Sequence, residues 1–123
     1  MGVDMITIPH NTKVYLSIGT VDFRKQIPGL KKWVQNEIKK DPFSGAYFIF
    51  FSRNRKSLKI IYFDGQGMCL YWKKLSIGTF KKWAKLYEVS SLYVQIKATE
   101  AQVILMNGNS QNLEIPRNWK DLQ

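Results

Sequence analysis

Between residues 41 and 75 the chain sets three dense apolar runs against two polar interruptions. Ala46-Tyr47-Phe48-Ile49-Phe50-Phe51, Leu58-Lys59-Ile60-Ile61-Tyr62-Phe63 and Met68-Cys69-Leu70-Tyr71-Trp72 are rich in aromatic and β-branched residues, which favour a pleated, buried surface. Between them stand Ser52-Arg53-Asn54-Arg55-Lys56-Ser57 and Asp64-Gly65-Gln66-Gly67. Asp64-Gly65 is the strongest hairpin signal in the chain, because glycine supplies the backbone freedom of a tight reversal. The pattern predicts a three-stranded antiparallel meander. Phe48 and Phe50 alternate with Tyr47, Ile49 and Phe51, so both faces are apolar and the sheet is expected to be covered on one side and partnered on the other. The 53–56 turn is too charged to be covered and is expected to project into water.

Upstream, Lys13-Val14-Tyr15-Leu16-Ser17-Ile18 alternates and is closed by Gly19, the signature of a first strand. Thr20 and Asp22 are candidate helix caps. After Pro28-Gly29, Leu30, Trp33, Val34 and Ile38 share one helical stripe while Lys31, Lys32, Gln35 and Lys39 take the other side. The helix should end near Lys40, because Pro42 disfavours helical geometry at Asp41. Downstream, residues 73–83 mix apolar residues with lysines without a clean period and read as loop or short helix. Residues 91–97 alternate as a further strand. Thr99-Glu100-Ala101-Gln102 has capping-box spacing, and Val103 to Met106 followed by Asn107-Gly108 predicts a short helix with a glycine stop. The polar tail, 109–123, is expected to fray apart from Ile115 and Trp119.

These elements make one α+β domain over residues 1–123: a mostly antiparallel sheet of about five strands carrying one longer helix and one short C-terminal helix, with a core at 13–83, a strand and helix at 91–108 and a tail beyond. A chain of this length buries roughly two thirds of its unfolded surface. Hydrophobic residues at 45% and charged residues at 23% describe a globular core and exclude a disordered polyelectrolyte. Nineteen Lys and Arg against nine Asp and Glu give +10, a balance that attracts polyanions, nucleic acid first among them. The single cysteine, Cys69, allows neither an intrachain disulfide nor a cysteine zinc site and suits a reducing cytoplasm. No apolar run of about 18 residues and no basic-then-apolar leader is visible, so no membrane association is expected. Met5 offers an alternative start, with Met1 to Asp4 an upstream extension.

Several motifs in fixed order carry a family resemblance across about residues 14–80. They are Val14-Tyr15-Leu16, Gly19-Thr20, Asp22-Phe23-Arg24-Lys25, Gly29-Leu30, Asp41-Pro42-Phe43-Ser44-Gly45, Phe48-Ile49-Phe50, Arg53-Asn54-Arg55, Leu58-Lys59-Ile60, Asp64-Gly65-Gln66-Gly67, Leu70-Tyr71, Lys74-Leu75 and Gly78-Thr79-Phe80. The chain resembles the small accessory protein, often labelled TnpB, encoded by the second open reading frame of bacterial insertion sequences of the sixty-six group. It departs from that pattern at Phe63, where the family usually has Trp, and at Trp83-Ala84, where it usually has Trp-Pro. The resemblance implies a role in transposition beside a separate transposase.

For DNA, the candidate contacts are Arg53, Arg55, Lys56 and Lys59 on the charged hairpin, widened by Lys73 and Lys74, since guanidinium forks and ammonium groups engage phosphates. The alternative reading is a solvated turn that keeps an aromatic sheet soluble. Lys81 and Lys82 could extend the footprint. Tyr71, Trp72 and Phe80 are the candidate partner-binding aromatics. Asp22 with Arg24 and Lys25 reads as a structural cap with an ion pair. Chemistry has little to build on: Asp22, Asp64 and Glu88 are the acids a metal-dependent nuclease would need, but Asp64 is explained by its turn and Glu88 is isolated. His10 belongs to no triad, and Gly65-Gln66-Gly67 joins strands and does not open a phosphate-binding helix. The expectation is a non-enzymatic accessory factor, without cofactor or metal, that binds DNA at the element ends, with an adaptor for the transposase as the alternative.

Overall fold

The structure, a computed structural model, describes residues 6–19, 21–82 and 91–106. Five strands form one sheet in the order β4-β3-β2-β1-β5: β1 (Val14–Ser17), β2 (Tyr47–Phe51), β3 (Ser57–Phe63), β4 (Met68–Lys74) and β5 (Tyr93–Ile96). The predicted meander is β2-β3-β4, antiparallel throughout. β1 lies beside β2 in parallel, Val14 opposite Tyr47 and Leu16 opposite Ile49. That parallel pair requires a crossover, and the crossover is the predicted helix. β5 closes the other flank of β1 in antiparallel fashion, Val14 opposite Ile96.

The helix α1 (Ile27–Trp33) continues into a π-helical turn, Val34–Ile38. Leu30, Val34 and Ile38 are buried as their spacing predicts, and Trp33 is half-buried. The helix ends near Lys40 as expected, at Ile38 with Lys39 as its cap, while its start differs. Asp22 does not cap this helix, which starts from Gln26 without a side-chain cap and with proline in its first turn; Asp22 folds instead into a local turn, its Oδ1 accepting the Arg24 amide at 2.9 Å. The C-terminus closes on Lys39 in the left-handed region, φ 61°, and the amide of Lys40 donates to the Val34 carbonyl at 3.1 Å. Lysine occupies a position that usually takes glycine.

Helix α2 (Ala98–Met106) begins earlier than Thr99-Gln102 suggests. Its reciprocal cap is made by Glu100, whose Oε1 accepts the Lys97 amide at 2.8 Å. The carboxylate sits three residues after the residue it caps, as the capping box requires, but the frame lies two residues upstream of the expected one. Residues 75–82 are loop.

The sheet is covered on both faces, as two apolar faces demand. One core gathers Tyr15, Phe48, Phe50 and Ile61 under Leu30, Val34 and Ile38 of α1 and its π turn. The other gathers Leu16, Ile49, Phe51, Leu58 and Ile60 with Phe80 and with Ala101, Ile104 and Leu105 of α2. Among the described residues no helix is long and apolar enough to cross a membrane. Thr20, Glu88, the Asn107-Gly108 stop, the tail and the two candidate starts lie outside the described residues.

Candidate nucleic-acid interface

The β2–β3 connection is a compact turn bonded to itself. The Ser52 amide donates to the Ser57 carbonyl at 3.0 Å and the Arg55 amide to the Ser52 carbonyl at 3.0 Å. Asn54 Oδ1 accepts the Lys56 amide at 3.0 Å and the Ser52 hydroxyl at 2.9 Å, the local side-chain capping that Ser and Asn provide in turns. Arg55 takes a left-handed conformation, φ 59°. With the turn fixed in this way, Arg53 and Lys56 stand exposed at its tip. Ser57 is opposite Lys74 in the β3–β4 register, which brings exposed Lys74 to the same end of the sheet.

Arg55, sharing that tip in sequence, does something else. Its Nε donates to the Phe80 carbonyl at 3.1 Å and its Nη2 to the Lys81 carbonyl at 2.8 Å, while the guanidinium lies 4.3 Å from the centre of the Phe51 ring. Its own carbonyl accepts the Phe80 amide at 2.7 Å. Arg55 therefore staples the loop after β4 to the hairpin and brings the backbone of Lys81 to the basic tip.

Lys59 departs furthest from expectation. It is fully buried, because strand alternation turns it onto the α1 face of the sheet, opposite both Phe50 and Trp72. Its ammonium donates to the carbonyls of Phe23 and Lys25 at 2.8 and 2.9 Å. The Phe23 and Trp72 rings flank it, their centres 5.0 and 4.9 Å away. Desolvation pushes its pKa below the ordinary lysine value. A charge enclosed in this way does not reach a phosphate; it clamps the 21–25 loop onto the sheet. Lys73, half-buried, donates to the Leu105 carbonyl at 3.1 Å and is likewise depressed by burial. Phe80 is a core residue at 1% exposure, packed against Phe51, and offers no partner surface. Tyr71 is half-buried, whereas Trp72 is 57% exposed.

The loop that Lys59 grips forms the second wall of the site. Val21 to Arg24 and Ser52 to Asn54 line an open cleft of about 570 Å³. On the 21–24 wall Arg24 and Asp22 pair with each other, Nη2 to Oδ2 at 2.7 Å and Nε to both carboxylate oxygens at 3.1 Å. The Arg24 guanidinium holds the Asp22 carboxyl well below the usual carboxylate range. The ion pair read from the sequence is present. That this loop would sit beside the hairpin tip had no local signal, since the bond joining them runs from a strand lysine to main-chain carbonyls.

Among the described residues, which do not include Glu88, no three His, Cys, Asp or Glu side chains are grouped to hold an ion. Asp64 accepts the Gln66 and Gly67 amides at 2.8 and 2.9 Å, which lower its pKa and account for it as a turn residue.

Comparison with known proteins gives this surface a setting. Two proteins of Sinorhizobium fredii are similar to the chain over 76 residues: uncharacterized protein y4hO at 38% identity and uncharacterized protein y4jC at 34%. The match takes in 62% of this chain in each case, and the chain spans 66% and 65% of the lengths of these relatives. No solved structure matches. The profile described as IS66 Orf2 like protein matches residues 12–114, so that both sheet faces, the basic hairpin and the clamped loop all fall within it. The chain belongs to the IS66 Orf2-like family, which is associated with transposition.

Proposed function

We propose that the protein is a non-enzymatic accessory factor of transposition that contacts DNA phosphates through Arg53, Lys56 and Lys74, with Lys82 beside them. The observation that carries this reading is the self-bonded turn of residues 52–57: it holds two exposed cations rigidly at one end of the sheet, next to a third from β4, in a chain of +10. Pre-ordered cations lose less entropy on binding a polyanion than cations on a mobile loop. Arg55, Lys59 and Lys73 act behind this surface by fixing the loops that frame it. Trp72 presents an exposed ring beside that end and supplies a platform for a base.

The test is binding to labelled element-end and scrambled DNA over a salt series, with wild type beside a variant carrying Arg53→Ala, Lys56→Ala and Lys74→Ala. Each phosphate contact contributes a slope of about −0.9 in log K against log salt. Removing three should flatten the slope by about 2 to 3 and weaken binding to both DNAs alike. Affinity that stays flat with salt, or a variant that binds as wild type does, refutes the reading.

A second reading, an adaptor for the transposase, draws on one observation: Trp72 is 57% exposed on an edge strand. It expects co-purification with transposase from nuclease-treated lysate to survive Arg53→Ala but not Trp72→Ala.

A further inference from the structure

Resting on the DNA reading above, we propose that the hairpin end of the α1 face takes an unpaired DNA strand, with one base flat on Trp72 and the phosphates beside it held by Lys74 and Arg53. Trp72 is opposite Lys59 in the β3–β4 register, and the Lys59 ammonium stands over the indole, 4.9 Å from its centre. Lys59 is sealed from solvent while Trp72 is 57% exposed. The ring is therefore a lid, with one face inward on the cation and the other outward to water. Lys74 follows two residues along β4 and shares that face of the sheet, about 7 Å farther on, the span of one extended nucleotide. Arg53 reaches the same face from the turn, where it lines the cleft against residues 21–24. Both cations are exposed, and neither side chain is hydrogen-bonded or ion-paired to the described residues. Asp22, on the opposite wall of the cleft, is already engaged by Arg24 at 2.7 Å.

The form of the DNA follows from the shape of this end. A duplex keeps its base faces stacked inside and offers only their edges in the grooves. A ring lying flush on a sheet has nothing to stack on until a base is unpaired. The end is also too blunt to enter a groove. β2, β3 and β4 stand side by side there at about 4.8 Å spacing, with the 21–25 loop clamped over them by Lys59. Arg55 staples the backbone of Phe80 and Lys81 to the same tip. With its side chains this block is broader than the major groove, about 12 Å wide. An unpaired strand lies along such a surface, where stacking on an aromatic ring adds to phosphate contacts.

Fluorescence anisotropy at one fixed salt concentration compares four labelled ligands: a thymidine dodecamer, its duplex with the complementary strand, an abasic dodecamer and a uridine RNA of the same length. Charge alone favours the duplex, which carries the denser row of phosphates, so a preference for the thymidine strand reports the ring. Wild type should bind that strand about fivefold or more tightly than the duplex. Trp72→Ala should weaken binding to the strand about tenfold, and Trp72→Phe should restore most of the loss. Because alanine also uncovers Lys59, the abasic dodecamer removes the same stack from the ligand side. It should bind wild type about tenfold more weakly than the thymidine strand. A duplex or an abasic strand bound as tightly as the thymidine strand overturns the proposal and leaves the phosphate contacts standing. RNA bound more tightly than the thymidine strand overturns DNA as the occupant, and no binding to any of the four ligands overturns both readings.

Discussion

Replacing Lys59 with methionine tests how the basic end of the sheet is held together. Methionine keeps the aliphatic stem and fills most of the volume, so the change isolates the ammonium and its bonds to Phe23 and Lys25 at 2.8 and 2.9 Å. Bonds from a charged donor contribute about 1.5 to 3 kcal/mol each, and each flanking ring adds about 0.5 to 2 kcal/mol. Desolvation of the ammonium opposes them by several kcal/mol, as for any buried charge (~5 kcal/mol in effect). The carbonyls left behind regain water only if the loop lifts off. At the centre of these ranges the balance is a loss of roughly 2 kcal/mol, which at a urea slope of about 1.5 kcal/mol/M lowers the denaturation midpoint by roughly 1.3 M. The pH dependence has a definite sign. Burial depresses the folded-state pKa of Lys59 below 10.5, so between that depressed value and 10.5 the unfolded chain binds more protons than the folded one. Stability from this residue therefore rises with pH in the window. The deficit of Lys59→Met against wild type should widen as pH approaches 10.5 from below. A midpoint within about 0.3 M of wild type, or a deficit that does not change with pH, would refute a buried charged clamp.

Arg55→Lys keeps the charge but cannot span the Phe80 and Lys81 carbonyls with a planar fork; stability should fall by about 1 to 2 kcal/mol in urea denaturation, while the DNA salt slope stays that of wild type. Tyr62 stacks on Tyr47 with ring centres 4.2 Å apart, and burial pushes its pKa up to about 12. In an ultraviolet absorbance titration the tyrosine transition near pH 12 should be lost in Tyr62→Phe. Because the folded state then holds the proton more tightly than the unfolded chain, stability falls as pH rises from 10 towards 12. Lys39→Gly should raise stability by about 0.5 to 1 kcal/mol, measured by the same denaturation, since glycine carries no penalty at the left-handed helix terminus.

The elements whose information is local were legible in the sequence. Alternation and the Asp64-Gly65 turn located the meander, and the spacing of Leu30, Val34 and Ile38 located the helix and its buried stripe. The parallel placing of β1 beside β2 depends on which face α1 covers, and no window of residues encodes that. The α2 cap illustrates a smaller failure: Thr99 and Gln102 have the right spacing, but the chain turns two residues earlier because Ala98 and Ala101 are drawn into the core. At the basic hairpin, sequence gives the charge but not the direction of each side chain. Arg53, Arg55, Lys56 and Lys59 look alike in composition, yet strand alternation and one left-handed residue divide them into two that face water, one that staples a loop and one that lies sealed beneath a tryptophan.

The position of β1 carries a kinetic consequence. Its two neighbours come from opposite sides of the chain's order, β2 through the α1 crossover and β5 from residues 93–96. The meander needs only short loops to close, whereas β1 needs two long ones, and loop closure sets the pace of pairing. During synthesis β2, β3 and β4 can assemble while β1 still waits for its partners, until β5 leaves the ribosome and covers its other flank. Pulse-labelling exchange on the refolding chain should find β2–β4 amides protected first and those of β1 and β5 together afterwards; simultaneous protection of all five strands would contradict that order.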